Sequence, residues 1–250
     1  MGKKEDMSMG IVDLKKEGDI FILTMQSGEN RLNRAFIEAM NQALDTVEKS
    51  RGPAALVTTG GEEKFYSNGL DLAWLAGDGE KERPQFVKSV LKVLGRLMAF
   101  PVPTVAAING HAFAAGAMLA LAHDFRMMRA DRGFFCLPEV DINIPIAPGM
   151  MALIKSRLSP NVFRSSVLTG ARMGGIEAKE RSIVDEAVPA EQVLPRAIAR
   201  ANSMANKGRD IYGTLKRGMY AEAIALLESG AIDPSMICSP TAPTSRGRPS

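Results

Sequence analysis

Three short stretches of this chain hold residue types suited to chemistry. In Phe65-Tyr66-Ser67-Asn68-Gly69-Leu70-Asp71-Leu72 a Ser-Asn-Gly turn interrupts an apolar run, and an acid follows that reads equally as a turn or cap residue. In Thr104 to Asp124 a β-leaning apolar run ends at Asn109-Gly110. Small residues follow, and Ala117 to Ala122 reads as a buried helix whose first turn lies near Ala115 and Gly116. N–H groups at a helix start lack intrahelical partners and carry partial positive charge, and small residues let a ligand approach them. The junction is thus suited to stabilise an anion, although close packing of helix against sheet would ask for the same small residues. The third stretch, Phe134-Phe135-Cys136-Leu137-Pro138-Glu139, ends an apolar segment on a carboxylate. Leu137, Pro138 and Val140 around Glu139 should raise its pKa and make it a better proton carrier, although taken alone an acid at this place reads more readily as a surface residue at a strand end.

The elements that must position these stretches follow from periodicity. Ile11 to Lys15 and Asp19 to Met25 alternate around Glu17-Gly18 as a β-hairpin. From about Asn33 the apolar positions Phe36, Ile37, Met40, Ala43, Leu44 and Val47 recur at helical spacing. Arg51-Gly52-Pro53 ends that helix before a buried strand at Ala54 to Thr58. Strand, strand, helix, strand is a right-handed α/β pattern. Glycines and charges from Ala76 to Arg83 predict a mobile loop, and Pro84 to Phe100 an amphipathic helix. Further on, Phe125 to Arg129 is strand-like, and Met150 to Leu158 and Val162 to Thr169 are helical. A short helix around Glu177 to Arg181 precedes a strand at Ser182 to Val188, and Ala190 to Leu227 is almost wholly helical. Pro, Ser, Thr and Arg in 239–250 predict a disordered tail.

Composition narrows the function classes. With 250 residues, 46% hydrophobic and 24% charged, the chain has an ample core for one or two domains. A net charge of +3 spread along the sequence gives no nucleic-acid footprint. A mildly basic surface suits an anionic substrate, and it equally suits mere solvation. Cys136 and Cys238 are too few and too separated for a disulfide framework or a zinc site, which points to a reducing compartment. His111 and His123 are too few for a His-rich metal cluster, and a Ser-His triad is hard to build from them. MGKKEDMSMG lacks the apolar core of a signal peptide, and no apolar run reaches the length of a membrane span. Arg248-Pro249-Ser250 does not match the Ser-Lys-Leu peroxisomal address, so the expected location is the cytoplasm, with peroxisome or mitochondrial matrix as alternatives.

FYSNGLDL, INGHAFAAGAMLALAHD, LPEVDINI and LTGARMGGIEAKERSIVDEAV stand in that order and resemble the four signature blocks of the crotonase (enoyl-CoA hydratase/isomerase) superfamily. The resemblance spans about residues 10 to 230 and is strongest to the 3,2-enoyl-CoA isomerases. It implies an α/β crotonase (ClpP/crotonase-like) spiral of repeated ββα units over 10–189, after a flexible N-terminus at 1–9. A helical oligomerisation region at 190–238 would then support a homotrimer or a dimer of trimers. The implied substrate is an acyl-CoA, with coenzyme A as part of the substrate, no other cofactor and no metal. Carried over position by position, the N–H groups of Leu70 and Ala115 grip the thioester oxygen, and Gly116 follows the second of them. Main-chain atoms around Ser67, Asn68, Gly69, Asp71 and Leu72 would hold the adenine, and the region of the Pro84–Phe100 helix would border the acyl pocket. Hydratases of the superfamily use two glutamates, whose positions here are Met118 and Glu139. Methionine cannot position water or exchange a proton, so hydration loses one of its two acids, whereas double-bond isomerisation needs only one.

Other residues have weaker claims. Asp141 would point the same way as Glu139 on an extended strand, and Asp141 or Asp124 could serve as the additional acid that diene isomerases and acyl hydrolases of the superfamily use. Lys216 and Arg217 could reach a coenzyme A phosphate, or only solubilise a helix. Met118, Met127, Met128, Met150 and Met151 read as adaptable lining or core, and Cys136 as a small buried hydrophobe. The expected function is 3-enoyl-CoA to 2-trans-enoyl-CoA isomerisation in fatty-acid β-oxidation. Alternatives are another crotonase reaction (hydratase, dienoyl isomerase, hydrolase or decarboxylase) or a silent acyl-CoA-binding scaffold.

Overall fold

The structure, a computed structural model, describes residues 10–232 and the backbone of Met7–Ser8; the tail at 239–250 and Cys238 lie outside the described residues. Of the N-terminal segment expected to be flexible, Met7–Ser8 forms strand β1 against Asp13 and Leu14. Strands β2 (Val12–Glu17) and β3 (Ile20–Met25) make the hairpin, closed by Gly18-Asp19, one residue later than its pattern predicts. Helix α1 (Arg34–Lys49) starts where expected because the Asn33 side chain accepts the Phe36 N–H at 3.0 Å.

Three ββα units follow. The first is β4 (Ala55–Gly60), β5 (Phe65–Ser67) and helices α2 (Leu72–Ala76) and α3 (Arg83–Met98). The second is β6 (Thr104–Ile108), β7 (His111–Phe113) and α4 (Ala115–Ala122). The third is β8 (Phe125–Arg129), β9 (Phe135–Cys136), α5 (Pro148–Arg157) and α6 (Pro160–Thr169). Then come α7 (Gly175–Glu180), β10 (Glu186–Val188), α8 (Ala190–Asn202), α9 (Arg209–Met219) and α10 (Ala221–Ser229). In each unit the first strand joins a seven-stranded sheet of order β1-β2-β3-β4-β6-β8-β10, parallel from β3 onward. The second strand turns away into a three-stranded parallel sheet, β5-β7-β9. Repeating that turn produces the expected spiral and stacks β5, β7 and β9, whose following loops carry the three chemical stretches.

The large sheet is covered on both faces, and its period-two pattern shows how. Phe21, Leu23, Leu56, Ala106 and Met128 join the main core, while Ile20, Ile22, Ala55, Val57, Val105, Ala107 and Met127 pack under Val193, Ala197 and Ala201 of α8. Helix α8 is therefore part of the packing that fixes the sheet.

Two local expectations change. Residues 77–82 are wound into turns and a single 3₁₀ turn, with Trp74 O accepting from Gly79 N at 2.8 Å and buried Arg83 donating to Leu75 O at 2.9 Å. The strand expected from Ser182 begins only at Glu186. Ser182 takes φ 58° and the Ile183 and Val184 N–H groups fold back onto Ala178 O at 2.8 and 3.2 Å, which closes a turn.

Candidate active site

The loop after β5 is held by polar bonds that leave one N–H unused. The Ser67 hydroxyl donates to Asn30 O at 2.7 Å, and Asn30, fully buried, donates from its amide to Tyr66 O at 3.0 Å. Leu32 N donates to Gly69 O at 2.8 Å and Leu32 O accepts from Asp71 N at 2.9 Å, so Leu32 and Leu70 form a parallel bridge. In such a bridge the residue between the two bonded neighbours turns its own N–H to the opposite side. That residue is Leu70, which also lines a cavity of about 320 Å³.

The start of α4 is pressed onto this loop. Ala114 takes φ 50° and ψ −124°, a conformation that costs a non-glycine residue roughly 1–3 kcal/mol. Its N–H donates to Cys136 O at 3.0 Å, and the chain then turns so sharply that Ala115 opens the helix on the cavity wall. A Cβ on Gly69 (φ +79°) would lie 2.9 Å from Phe113 O and 3.2 Å from Ala115 N, and one on Gly116 would lie 2.2 Å from Ser67 O. Backbone packs directly on backbone here, which brings Leu70 and Ala115, both in the cavity lining, close to one another.

Glu139 lines the same cavity from the segment after β9. Asp141 N and Ile142 N both donate to Pro138 O, at 2.9 and 3.1 Å, and Ile144 N donates to Glu139 O at 3.1 Å. This curl places Ile142, Ile144 and Ile146 beside Glu139 in the cavity lining, with Leu72, Val87, Phe113, Met118 and Met150 opposite or around them. Glu139 is 7% exposed, and its Oε2 is buried without a hydrogen-bond partner among the described residues. Burial pushes its carboxyl up from 4.5 to about 7, against the opposing pull of its own backbone N–H. No other Asp or Glu lines the cavity among the described residues, and Met118, one helical turn beyond Ala115, is an apolar part of the wall.

The sequence-predicted residues divide into three groups. Asn68, Leu70, Leu72, Ala115 and Glu139 line the cavity together. Ser67, Gly69, Asp71 and Gly116 stand behind the wall as its fasteners, with Asp71 accepting the Trp74 N–H at 3.1 Å as the cap of α2. Lys216 does not belong to the site: it is buried against Asp124 at 2.8 Å and donates to Leu97 O at 3.3 Å. An Arg or Lys spaced along one helix face looks solvated in sequence, and only the packing of α9 reveals this buried partner. Arg217 is exposed and pairs with Glu228.

Neither extra acid reaches the cavity. The curl turns Asp141 outward to lie over Gly170, where a Cβ would meet its Oδ2 at 2.3 Å. Asp124 accepts from Thr104 N, Tyr212 and Lys216 on the far side of α4. Cys136 is buried as expected and also lines the cavity, its thiol donating to Gly170 O at 3.2 Å and pushed up to about 11 by burial. Sequence reasoning missed Arg31 and Arg172, two guanidinium groups on the cavity lining. It also missed Asn30, whose bonds to Tyr66 O and from the Ser67 hydroxyl make it a strut of the loop after β5. Among the described residues no group of three or more His, Cys, Asp or Glu is placed to hold a metal, and no helix is long and apolar enough to cross a membrane.

Residues 15–242 match the family described as enoyl-CoA hydratase/isomerase. The chain is 36% identical over 224 residues to enoyl-CoA delta isomerase 3 of Arabidopsis thaliana, covering 86% of this chain and 94% of that protein. It is 33% identical over 225 residues to enoyl-CoA delta isomerase 2, peroxisomal, of the same organism, again covering 86% and 94%. Its fold superposes on the apo Mtb enoyl-CoA isomerase with a TM-score of 0.82 at 25% identity, covering 89% of this chain and 96% of that one.

Proposed function

This chain belongs to the enoyl-CoA hydratase/isomerase family, and on that premise we propose that it moves the double bond of 3-enoyl-CoA thioesters, cis or trans, to give 2-trans-enoyl-CoA in fatty-acid β-oxidation. The observation that carries this reading is the composition of the cavity: one carboxylate, Glu139, in the same lining as Leu70 and Ala115, with Met118 at the position where a hydratase would need its second acid. The thioester oxygen sits between the N–H groups of Leu70 and Ala115. Glu139 takes a proton from C2, and the electron pair delocalises over C2, C4 and the oxygen as a dienolate. The same carboxyl then returns a proton to C4, the double bond settles between C2 and C3, and Glu139 is ionised again. Each N–H donor aimed at the developing oxyanion contributes on the order of 10²–10³ in rate.

Glu139 is suited to this double task because its pKa near 7 matches a group that must both accept and give a proton at neutral pH. The reaction is redox-neutral and moves only protons, so the reading includes no metal or redox cofactor. Arg31 and Arg172 suit the phosphates of coenzyme A, and the isoleucines of the 142–146 segment suit the acyl chain. The protein is expected to be a homotrimer or dimer of trimers. Ile211, Leu215 and Met219, spaced four apart on α9 and 60–69% exposed, offer a self-association stripe. Light scattering of wild type and Leu215→Lys tests that assembly. The cytoplasm is the expected compartment and the peroxisome its alternative, on the strength of the peroxisomal relative.

The test of activity is direct. Incubated with 3-hexenoyl-CoA, the protein should produce the ultraviolet absorbance of a conjugated thioester. Folded protein that binds the thioester and yields no conjugated product would defeat the reading.

A further inference from the structure

Helix α4 presents Ala115 to the cavity, and its far end is fastened by side chains that the reaction does not touch. All eight residues of α4 are buried, and its Ala, Gly, Leu and Met side chains make no directional bond that would fix the helix along its axis. Its first turn lines the cavity with Ala115 and Met118. Its near end is braced by the close contact of Gly116 with Ser67, and what holds it from the far end must act at its last carbonyls, which lack intrahelical partners.

Three of these oxygens are taken by side chains. Leu119 O accepts from His123 Nδ1 at 2.8 Å, and Leu121 O accepts from Arg157 Nε at 2.8 Å. His123 O accepts from Arg126 Nη1 at 2.9 Å and also from Arg157 Nη2. The remaining arm of Arg157 reaches the Tyr220 hydroxyl, and its guanidinium lies 4.4 Å from the Tyr220 ring centroid. Arg157 is the last residue of α5, whose first turn supplies Met150 to the cavity. One planar fork thus ties the far ends of two helices whose near ends form the cavity wall. A lysine ammonium could carry the charge but not span two carbonyls and a hydroxyl at once.

We infer that Arg157 is a positioning residue for the oxyanion hole: by holding the carbonyls of Leu121 and His123 it sets where the Ala115 N–H stands. This rests on the isomerase reading above. Misplacing that N–H weakens the hold on the charged dienolate far more than the hold on the neutral thioester, because the shorter, charge-assisted bond is the more sensitive one.

The experiment uses two thioesters. Acetoacetyl-CoA enolises, and its enolate absorbs in the near ultraviolet, so the enolate fraction of the bound ligand reports the oxyanion hole without needing turnover. Hexanoyl-CoA cannot form a conjugated enolate and reports ground-state affinity alone. Arg157→Met and Arg157→Lys are expected to lower kcat on 3-hexenoyl-CoA roughly 10–100-fold and to reduce the bound enolate fraction. Affinity for hexanoyl-CoA should stay within about twofold. The lysine variant keeps the buried charge and is expected to recover thermal stability without recovering the enolate signal; if the methionine variant does not fold, the lysine variant alone decides. An undiminished enolate fraction in a folded variant, or an equal loss of affinity for both thioesters, overturns the positioning role. A wild-type protein that shows no excess of bound enolate over free ligand instead overturns the assignment of the oxyanion hole itself.

Discussion

The two walls of the cavity are made in opposite ways. The wall of 67–72 and 113–116 is backbone pressed on backbone, where a Cβ at Gly116 would stand 2.2 Å from Ser67 O. The facing wall, 137–147, depends on a single side chain, Glu139, buried among isoleucines with one oxygen unpartnered among the described residues. On the proposed reading the first wall offers fixed N–H dipoles and tolerates no added bulk, while the second offers a mobile proton and tolerates no loss of its one carboxylate. Division of labour of this kind separates charge stabilisation, which requires rigidity, from proton transfer, which requires a tuned pKa.

Glu139→Gln should have the largest effect on rate. It removes the proton carrier while keeping shape, so kcat should fall roughly 10²–10⁴-fold with acyl-CoA affinity retained. Undiminished turnover would take Glu139 out of the mechanism. The same variant carries a pH signature. Folding raises the Glu139 pKa from 4.5 to about 7, so between these pH values the folded protein binds a proton that the unfolded chain has lost. Stability contributed by that proton falls as pH rises through the window, and the wild type bears a desolvated charge above it. Glutamine avoids this, so Glu139→Gln should be more stable than wild type above pH 7 by on the order of 1–3 kcal/mol, with the advantage fading toward pH 4.5. Denaturation at two pH values checks the sign. Wild-type kcat should rise through the same window as the carboxylate forms.

The backbone wall is probed by adding one carbon. Gly116→Ala must push α4 away from Ser67, and the expected losses are roughly 10–100-fold in kcat and about 1–3 kcal/mol in stability. Normal kcat and stability would mean that the close contact does not set the oxyanion geometry. The smallest effect belongs to Ala114→Gly. Glycine accepts φ 50° without strain but loosens the unfolded chain, so stability should change by less than about 1 kcal/mol, in the stabilising direction, with kcat within about threefold. A large destabilisation would contradict the strain assigned to Ala114.

The backbone wall was largely legible in the sequence because its demands are written in residue type. Small residues at 112–116, the Ser-Asn-Gly turn and the Asn33 cap each leave a local mark, and Leu70, Ala115 and Glu139, which the signature blocks single out, line one cavity. The surroundings of Glu139 were less legible. An extended continuation would have aligned Asp141 with it, but Pro138 O collects two N–H bonds and the chain curls, a choice that no period-two pattern records. Long-range polar partnerships were invisible. Nothing near Lys216 in sequence announces Asp124, and nothing near Asn30 announces Tyr66 O. Arg31 and Arg172 escaped because a lone arginine in a loop reads as surface until a cavity is found beside it.

The central claim, that one carboxylate and two N–H groups make an isomerase, is tested most directly by measuring isomerisation and hydration side by side on unmodified protein. Wild type given 3-hexenoyl-CoA should form the conjugated 2-trans product, and given 2-trans-hexenoyl-CoA it should add water at a rate lower by roughly 10²-fold or more, the usual contribution of the missing acid. Met118→Glu, which restores a carboxylate across from Glu139, should raise hydration and lower stability, since an unpartnered acid would replace an apolar side chain that is 1% exposed. Equal rates of hydration and isomerisation in the wild type would contradict the account, because a second acid would then have to be acting in a cavity whose lining holds, among the described residues, no Asp or Glu but Glu139.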